Sequence, residues 1–219
     1  MKLPALIVNF KTYESATGDK ALKLAKIHEK ASKITGKTIA VCVQPADIYR
    51  VAKAVKIPVF SQHIDDVDYG AHTGAILPES VKQAGAFGTL INHSEKQVKL
   101  EVIKNLIVKA KKAGLFTIVC ANSPAKADLI SKFHPDLIAV EPPELIGGDI
   151  SVSKARPGVI KKSVKAVGKN KLLVGAGVKN CEDVKIALKL GAKGILVASG
   201  VVQAKNPEKA LLDLAKGLL

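Results

Sequence analysis

One pattern repeats along this chain: a short apolar run, a polar or glycine-bearing end, a stretch of helical period, then the next apolar run. The apolar runs cover residues 5–10, 38–43, 58–63, 88–93, 116–121, 137–142, 172–177 and 194–199, eight in all, each of strand length. Their Ile, Val and Leu character is continuous rather than alternating. This predicts strands covered on both faces, as parallel strands under helices are. Stretches of helical period lie between them, at 19–34, 46–55, 77–84, 99–113, 124–133, 156–167, 181–190 and 207–219. Ser123-Pro124 and Asn206-Pro207 each supply a cap and a first-turn proline. Gly114 and Gly191 stand where helices should stop. Eight βα units spread evenly over 219 residues, with no linker or compositional break, predict an α/β chain closed as a (β/α)8 barrel, a single domain over residues 1–219. The alternative, an open doubly wound sheet, does not require eight units so evenly spaced.

Composition narrows the class of partner. Aromatic residues are 4% and Trp is absent, so the core must be built mainly of Val, Ile, Leu and Ala. The formal charge of +15 raises the question of nucleic acid. The cations are nearly all Lys, dispersed along the chain, and Arg appears only as Arg50 and Arg156. Base reading and bidentate phosphate gripping favour Arg, so the lysines read as solvated helix faces and no nucleic-acid partner is expected. A broad positive field could still draw in a small anion. Cys42, Cys120 and Cys181 show neither a paired framework nor metal spacing, which suits reduced thiols. No cleavable leader is legible at the N-terminus, and no apolar run approaches membrane-spanning length. A cytoplasmic protein without a membrane partner is expected.

In a (β/α)8 barrel the working residues come from the C-terminal ends of the strands and the loops after them. Strand one ends in Asn9-Phe10-Lys11, and alternation along a strand sets Asn9 and Lys11 on one face. Lys11 could hold developing negative charge or a phosphate, or pair with Glu95 at the rim. Strands three and four end in His63 and His93. Either imidazole could donate to a carbonyl oxygen, and position alone does not choose between them. Glu141 is the one acid at the mouth of strand six. In a water-poor pocket its pKa would rise and suit it to act as a base on carbon; the alternative is a salt bridge to a nearby Lys. The two prolines after it stiffen the chain, and the glycine-bearing segment to Asp149 suits a lid that closes over substrate. Gly175, Gly177 and Gly200 end strands seven and eight, where barrels often bind phosphate through backbone N–H groups; taken singly, each is an ordinary turn glycine. His63, Asp65, Asp66 and His72 are competent metal ligands but match no tight metal motif, so no metal is expected.

Together these residues carry a resemblance. Asn9-x-Lys11, Asn92-His93-Ser94-Glu95, the run Ala139-Val140-Glu141-Pro142-Pro143-Glu144-Leu145-Ile146-Gly147, and Gly175-Ala176-Gly177 occur in order along the whole chain. They resemble the triosephosphate isomerase family in its compact archaeal-type form, and residues 194–199 resemble that family's eighth strand and phosphate loop. The resemblance implies cofactor-free and metal-free interconversion of dihydroxyacetone phosphate and glyceraldehyde 3-phosphate through an enediol. Glu141 would be the base, His93 the electrophile, Lys11 and Asn9 would hold the substrate, and Glu95 would orient Lys11. Ile146, Gly147, Gly175, Gly177, Ala198 and Ser199 would hold the phosphate. Glu144 stands where longer members carry Trp, Gly-Ala-Gly replaces Gly-Gly-Ser, and Ala198-Ser199 replaces Gly-Gly. These departures leave phosphate binding to backbone groups. The loop 64–75 resembles the family's intersubunit loop, which implies a homodimer or a homotetramer. Another sugar-phosphate isomerase or epimerase on the same barrel, and a basic polyanion-binding protein, are the competing expectations.

Overall fold

The computed structural model describes residues 1–141, 157–168, 171–175 and 177–218. Eight parallel strands close on themselves in sequence order: β1 (Ala5–Asn9), β2 (Thr38–Val43), β3 (Val59–Ser61), β4 (Gly88–Ile91), β5 (Phe116–Ala121), β6 (Leu137–Val140), β7 (Leu172–Val174) and β8 (Gly194–Val197). Closure is made where Ala5 pairs with Gly194 and Val8 with Val197. Every apolar run therefore contains a strand. Six of them stop short of the expected C-terminal end, because the last residues leave the ladder to form the barrel's mouth.

Nine α-helices are described: α1 (Asp19–Thr35), α2 (Ile48–Ala54), α3 (Pro78–Gln83), α4 (Leu100–Lys112), α5 (Pro124–Ser131), α6 (Pro157–Val167), α7 (Cys181–Lys189), α8 (Ser199–Val202) and α9 (Pro207–Lys216). The caps read from the sequence form as expected. The Ser123 side chain accepts from the Lys126 N–H and the Asn206 side chain from the Lys209 N–H. The single turn α8 follows β8 directly and is too short to leave a periodic signal in the sequence. Most helices open on acids, as with Asp19, Glu79, Glu101, Glu182 and Glu208, and close on lysines, as with Lys33, Lys82, Lys112, Lys165, Lys189 and Lys216. That order complements the helix dipole. Because the helices run back against parallel strands, the last-turn lysines gather at the barrel end opposite the strand C-termini.

Alternation along each strand divides the core into two layers. Ala5, Ile7, Ala40, Cys42, Leu90, Ile118, Leu137, Ala139 and Leu173 fill the barrel, while Leu6, Val8, Ile39, Val41, Val119 and Ile138 face the helices. Small interior residues would leave a void, and Phe60, Phe87 and Phe116 fill it with centroids 5.4 to 6.1 Å apart, Phe60 edge to face with the other two. Gly88 makes this possible, since a Cβ there would lie 2.5 Å from the Phe60 ring. In the outer layer His28 packs against Phe10 with no solvent exposure, and burial holds its pKa down at about 4, so it is a neutral packing element.

Candidate active site

The first turn after β1 does not continue the strand. Asn9 ends β1, and Lys11 takes a left-handed conformation (φ 48°) with its N–H donating to Asn9 Oδ1 at 3.0 Å. Asn9 and Lys11 reach one pocket through this Asx-type turn, which corrects the expectation that strand alternation places them. Gln62, at the end of the third apolar run, donates to the carbonyl oxygens of Lys11 and Cys42 at 2.8 and 3.2 Å and fixes the turn. Lys11 Nζ lies 2.7 Å from Glu95 Oε1.

A second left-handed residue aims the histidine. Asn92 (φ 60°) donates to the Cys120 carbonyl oxygen at 2.9 Å and accepts from the Val98 N–H at 3.0 Å, so the chain after β4 is tied on both sides. His93 is thereby turned inward. Its Nδ1 accepts the Glu95 N–H at 3.2 Å, which leaves Nε2 as the protonated nitrogen of a neutral ring. Burial, opposed by the Glu95 carboxylate and assisted by Lys11, keeps the imidazole below its usual pKa and hence uncharged near neutrality.

Glu141 follows β6 directly, its N–H bonded to the Ala121 carbonyl oxygen at 2.9 Å. It is 5% exposed, and burial pushes its pKa up to about 7 against the opposing pull of a Cys120 hydrogen bond and of Lys11. Its Oε1 stands 3.8 Å from His93 Nε2, too far for a hydrogen bond, and its Oε2 is buried without a partner. The salt bridge to a neighbouring Lys, the alternative open in the sequence, does not form among the described residues. Gly175 is the wall behind the carboxylate: a Cβ there would lie 2.4 Å from Glu141 Cγ.

Asn9, Lys11, His93, Glu141, Gly175, Gly177, Ala198 and Ser199 line one cavity of ≈ 480 Å³ at the strand C-terminal ends. The two histidines separate here. His63 lines a neighbouring hollow and has Nε2 3.2 Å from Asp65 Oδ1, whereas His93 faces Glu141. Asp65 also accepts the Ile76 N–H at 2.7 Å, and Asp66 accepts from Asn105 at 2.9 Å, so these carboxylates brace the loop 64–75. Tyr13, Val178, Lys179, Leu196 and Gly200 line the main cavity as well. None was singled out for this site from the sequence except Gly200; Leu196 lies in the eighth apolar run, but only the barrel's pleat reveals that it faces inward. Ile146 and Gly147, expected to hold phosphate, lie outside the described residues.

A buried carboxylate poised to ionise near neutrality, a neutral imidazole donor opposite and an ammonium beside both can move a proton on carbon while holding the resulting oxyanion. Comparison with known proteins points the same way. The family model described as triosephosphate isomerase matches residues 4–217. The chain is 50% identical over 215 residues to a triosephosphate isomerase of Methanobacterium bryantii, covering 96% of this chain and 95% of that protein. It is 49% identical to one from Methanocaldococcus jannaschii, covering 96% and 98%, and 46% identical to one from Methanobrevibacter smithii, covering all of both. The crystal structure of triosephosphate isomerase from Bartonella henselae superposes with a TM-score of 0.73 over 97% of this chain and 96% of that one; at 20% identity this speaks for the fold.

Proposed function

This chain belongs to the triosephosphate isomerase family, and we propose that its main cavity carries out that reaction on dihydroxyacetone phosphate and D-glyceraldehyde 3-phosphate with Glu141 as the base. The observation that supports this most is the pairing across the cavity: a buried carboxylate with a pKa of about 7 facing the protonated Nε2 of a neutral His93 at 3.8 Å. With the substrate's reacting carbons between them, Glu141 takes the proton from the carbon beside the carbonyl. His93 Nε2 donates to the carbonyl oxygen, and the electron pair left on carbon moves into an enediolate. Lys11 lies close enough to lower the pKa of both Glu141 and His93, so its charge also stabilises that anion. Glu95 anchors Lys11 and Asn9 shapes its turn. The proton of the neighbouring hydroxyl then passes to the former carbonyl oxygen, beside His93, so that the hydroxyl carbon becomes the new carbonyl, and Glu141 returns its proton to the adjacent carbon. The backbone around Gly177, Ala198 and Ser199 is the place for the phosphate, with Ile146 and Gly147 as further contacts. No step in this sequence calls for a metal or cofactor.

A coupled assay with glyceraldehyde 3-phosphate, run with and without a chelator, tests the reading. Turnover is expected in both. Because the base works only when ionised, kcat/KM should fall about tenfold per pH unit below about pH 7, the pKa of Glu141. Absence of turnover overturns the assignment; turnover lost to the chelator would favour a metal-dependent sugar-phosphate epimerase.

The reading extends to a homo-oligomer, dimer or tetramer, built through the loop 64–75, and to a cytoplasmic location. Lys109 holds Asp66 and Asp68 at 3.6 and 2.7 Å, so the loop is braced at its base while Tyr69 stands 70% exposed. A rigid loop carrying an exposed aromatic suits insertion into a second copy. A solution mass equal to one chain by light scattering would overturn it. No helix among the described residues is long and apolar enough to cross a membrane.

A further inference from the structure

We propose that Gln62 is a positioning residue for the reaction: from outside the cavity, its side-chain amide sets where the Lys11 ammonium stands. The role rests on the isomerase reading of the same cavity. Lys11 has to meet the developing oxyanion at one place. At its charged end the partner among the described residues is Glu95, with Nζ 2.7 Å from Oε1, and the Glu95 side chain is 58% exposed. An ion pair with one member in solvent holds a long side chain only loosely. The placement must therefore come from the backbone end of Lys11.

That end is strained and braced. Lys11 is left-handed at φ 48°, a region that residues with a Cβ rarely adopt, so neighbours must hold it there. Asn9 Oδ1 holds the N–H side at 3.0 Å. Gln62 holds the carbonyl side: its Nε2 donates to Lys11 O at 2.8 Å and to Cys42 O at 3.2 Å. The Cys42 carbonyl also accepts the Phe10 N–H at 2.9 Å, and the Gln62 N–H donates to Val43 O at 3.2 Å. One amide thus ties the turn after β1 to the ends of β2 and β3. Both of its partners are carbonyl oxygens, which only accept, so the amide must present its nitrogen to them. With N–H and C=O both held, the direction in which the Lys11 side chain leaves the main chain is set. Gln62 itself lines the neighbouring hollow and not the cavity, so it acts through Lys11.

The Lys11 charge carries this placement to the base. Glu141 faces the His93 ring, the Cys120 thiol, Lys11 and Glu95, and Cys42 also lies in its field. Burial raises the Glu141 pKa, Cys120 and Lys11 lower it, and Glu95 raises it. An ammonium that withdraws gives up part of its lowering, so the carboxylate ionises at higher pH.

The test compares wild type with Gln62→Met, which keeps the length and loses both donors, and Gln62→Asn, which keeps the amide but is too short to reach both carbonyls. Gln83→Met, at an exposed position ending α3, is the control. All three are neutral changes, so any movement in the titration of Glu141 comes from charges already present. Turnover of glyceraldehyde 3-phosphate is followed against pH. Ionisation of Glu141 is followed by carbon NMR of protein labelled at its glutamate carboxyls, the resonance being assigned by its absence in Glu141→Gln. Gln62→Met should lose about ten- to a hundredfold in kcat/KM, with the acid limb and the NMR titration both moved to higher pH. Gln62→Asn should move both in the same direction, and it decides the matter alone if Gln62→Met does not fold. Gln83→Met should match wild type. A merely structural role would lower turnover and leave the titration where it was. Wild-type kcat/KM in the Gln62 variants, or an unmoved titration of Glu141, overturns the proposal. The NMR titration needs no turnover, so it reports on Gln62 even if the wild-type protein fails to isomerise the triose, a result that would overturn only the isomerase reading.

Discussion

Replacing Glu141 with Gln should abolish most turnover and, above neutral pH, make the protein more stable. The first effect follows from the chemistry: the amide cannot accept the proton, and loss of a positioned base costs about 10²–10⁴-fold in kcat. The second follows from linkage. Burial raises the Glu141 pKa from 4.5 to about 7 in the folded state. A group raised in this way contributes its full stability below pH 4.5, where it is neutral in both states, and loses it as pH rises through about 7. At ~1.4 kcal/mol per pH unit, ionising the carboxylate in place costs about 3 kcal/mol. Gln escapes that cost. Urea denaturation at pH 4.5 and pH 8.5 should show similar stabilities at the lower pH and a gain of up to about 3 kcal/mol for the variant at the higher. A variant with wild-type kcat removes Glu141 as the base. Equal stability at both pH values would mean that the carboxylate is not desolvated.

The unpaired Oε2 has a structural reason. His93 Nε2 stops at 3.8 Å from Oε1, the Cys120 thiol is a weak donor to the carboxylate, and Oε2 has no partner among the described residues. A closer donor would stabilise the ionised form and lower the pKa away from neutrality, making a weaker base. Catalytic competence and local stability are therefore opposed at this one side chain.

How much of this was legible in the sequence differs from residue to residue. The barrel was, because eight buried parallel strands need continuous apolar runs and their helices need periodic ones. The place of Glu141 in the cavity was, because a lone acid that ends an apolar strand must stand at the barrel's mouth. The choice of His93 over His63 was not: both follow apolar strands, and what separates them is the left-handed turn at Asn92 and the pairing of His63 with Asp65. Such a turn depends on two hydrogen bonds to distant backbone groups, which leave no periodic trace. The ends of the apolar runs misled for a related reason. Residues past the last ladder bond, such as Phe10, His63, Asn92, His93 and Glu141, are still buried at the mouth of the barrel, so the chain does not turn to exposed residues where a strand ends. Lys179 was hidden among many lysines, since only the fold reveals which of them lines the cavity.

Gly175 was legible as a glycine whose backbone had to be approached closely, but the sequence suggested an anion as the approaching group. The group that presses on it is Glu141. A Cβ at residue 175 would lie 2.4 Å from Glu141 Cγ and 3.0 Å from Oε1, whereas ordinary contact begins at 3.4 Å. In Gly175→Ala the carboxylate must therefore retreat by about 1 Å, a displacement that can cost about 10²-fold in rate. The direction of retreat is set by the surroundings. The β7 wall blocks one side, and on the β5 side a second hollow of ≈ 110 Å³ is lined by Ser94, Gln97, Asn122 and Lys126. A carboxylate pushed toward those polar groups is better stabilised when ionised, so its pKa should fall. The variant should show a kcat lower by about 10²-fold, a KM changed far less, and an acid limb of the pH profile moved below that of wild type. Gly158→Ala, with nothing within 4 Å of the added Cβ, should do none of this. If Gly175→Ala keeps the wild-type acid limb while losing kcat, the loss comes from elsewhere in the pocket and Gly175 does not position the base. If it keeps both, the main chain of β7 gives way more easily than the side chain, and the base is held by Cys120 and the strand end rather than by the wall behind it.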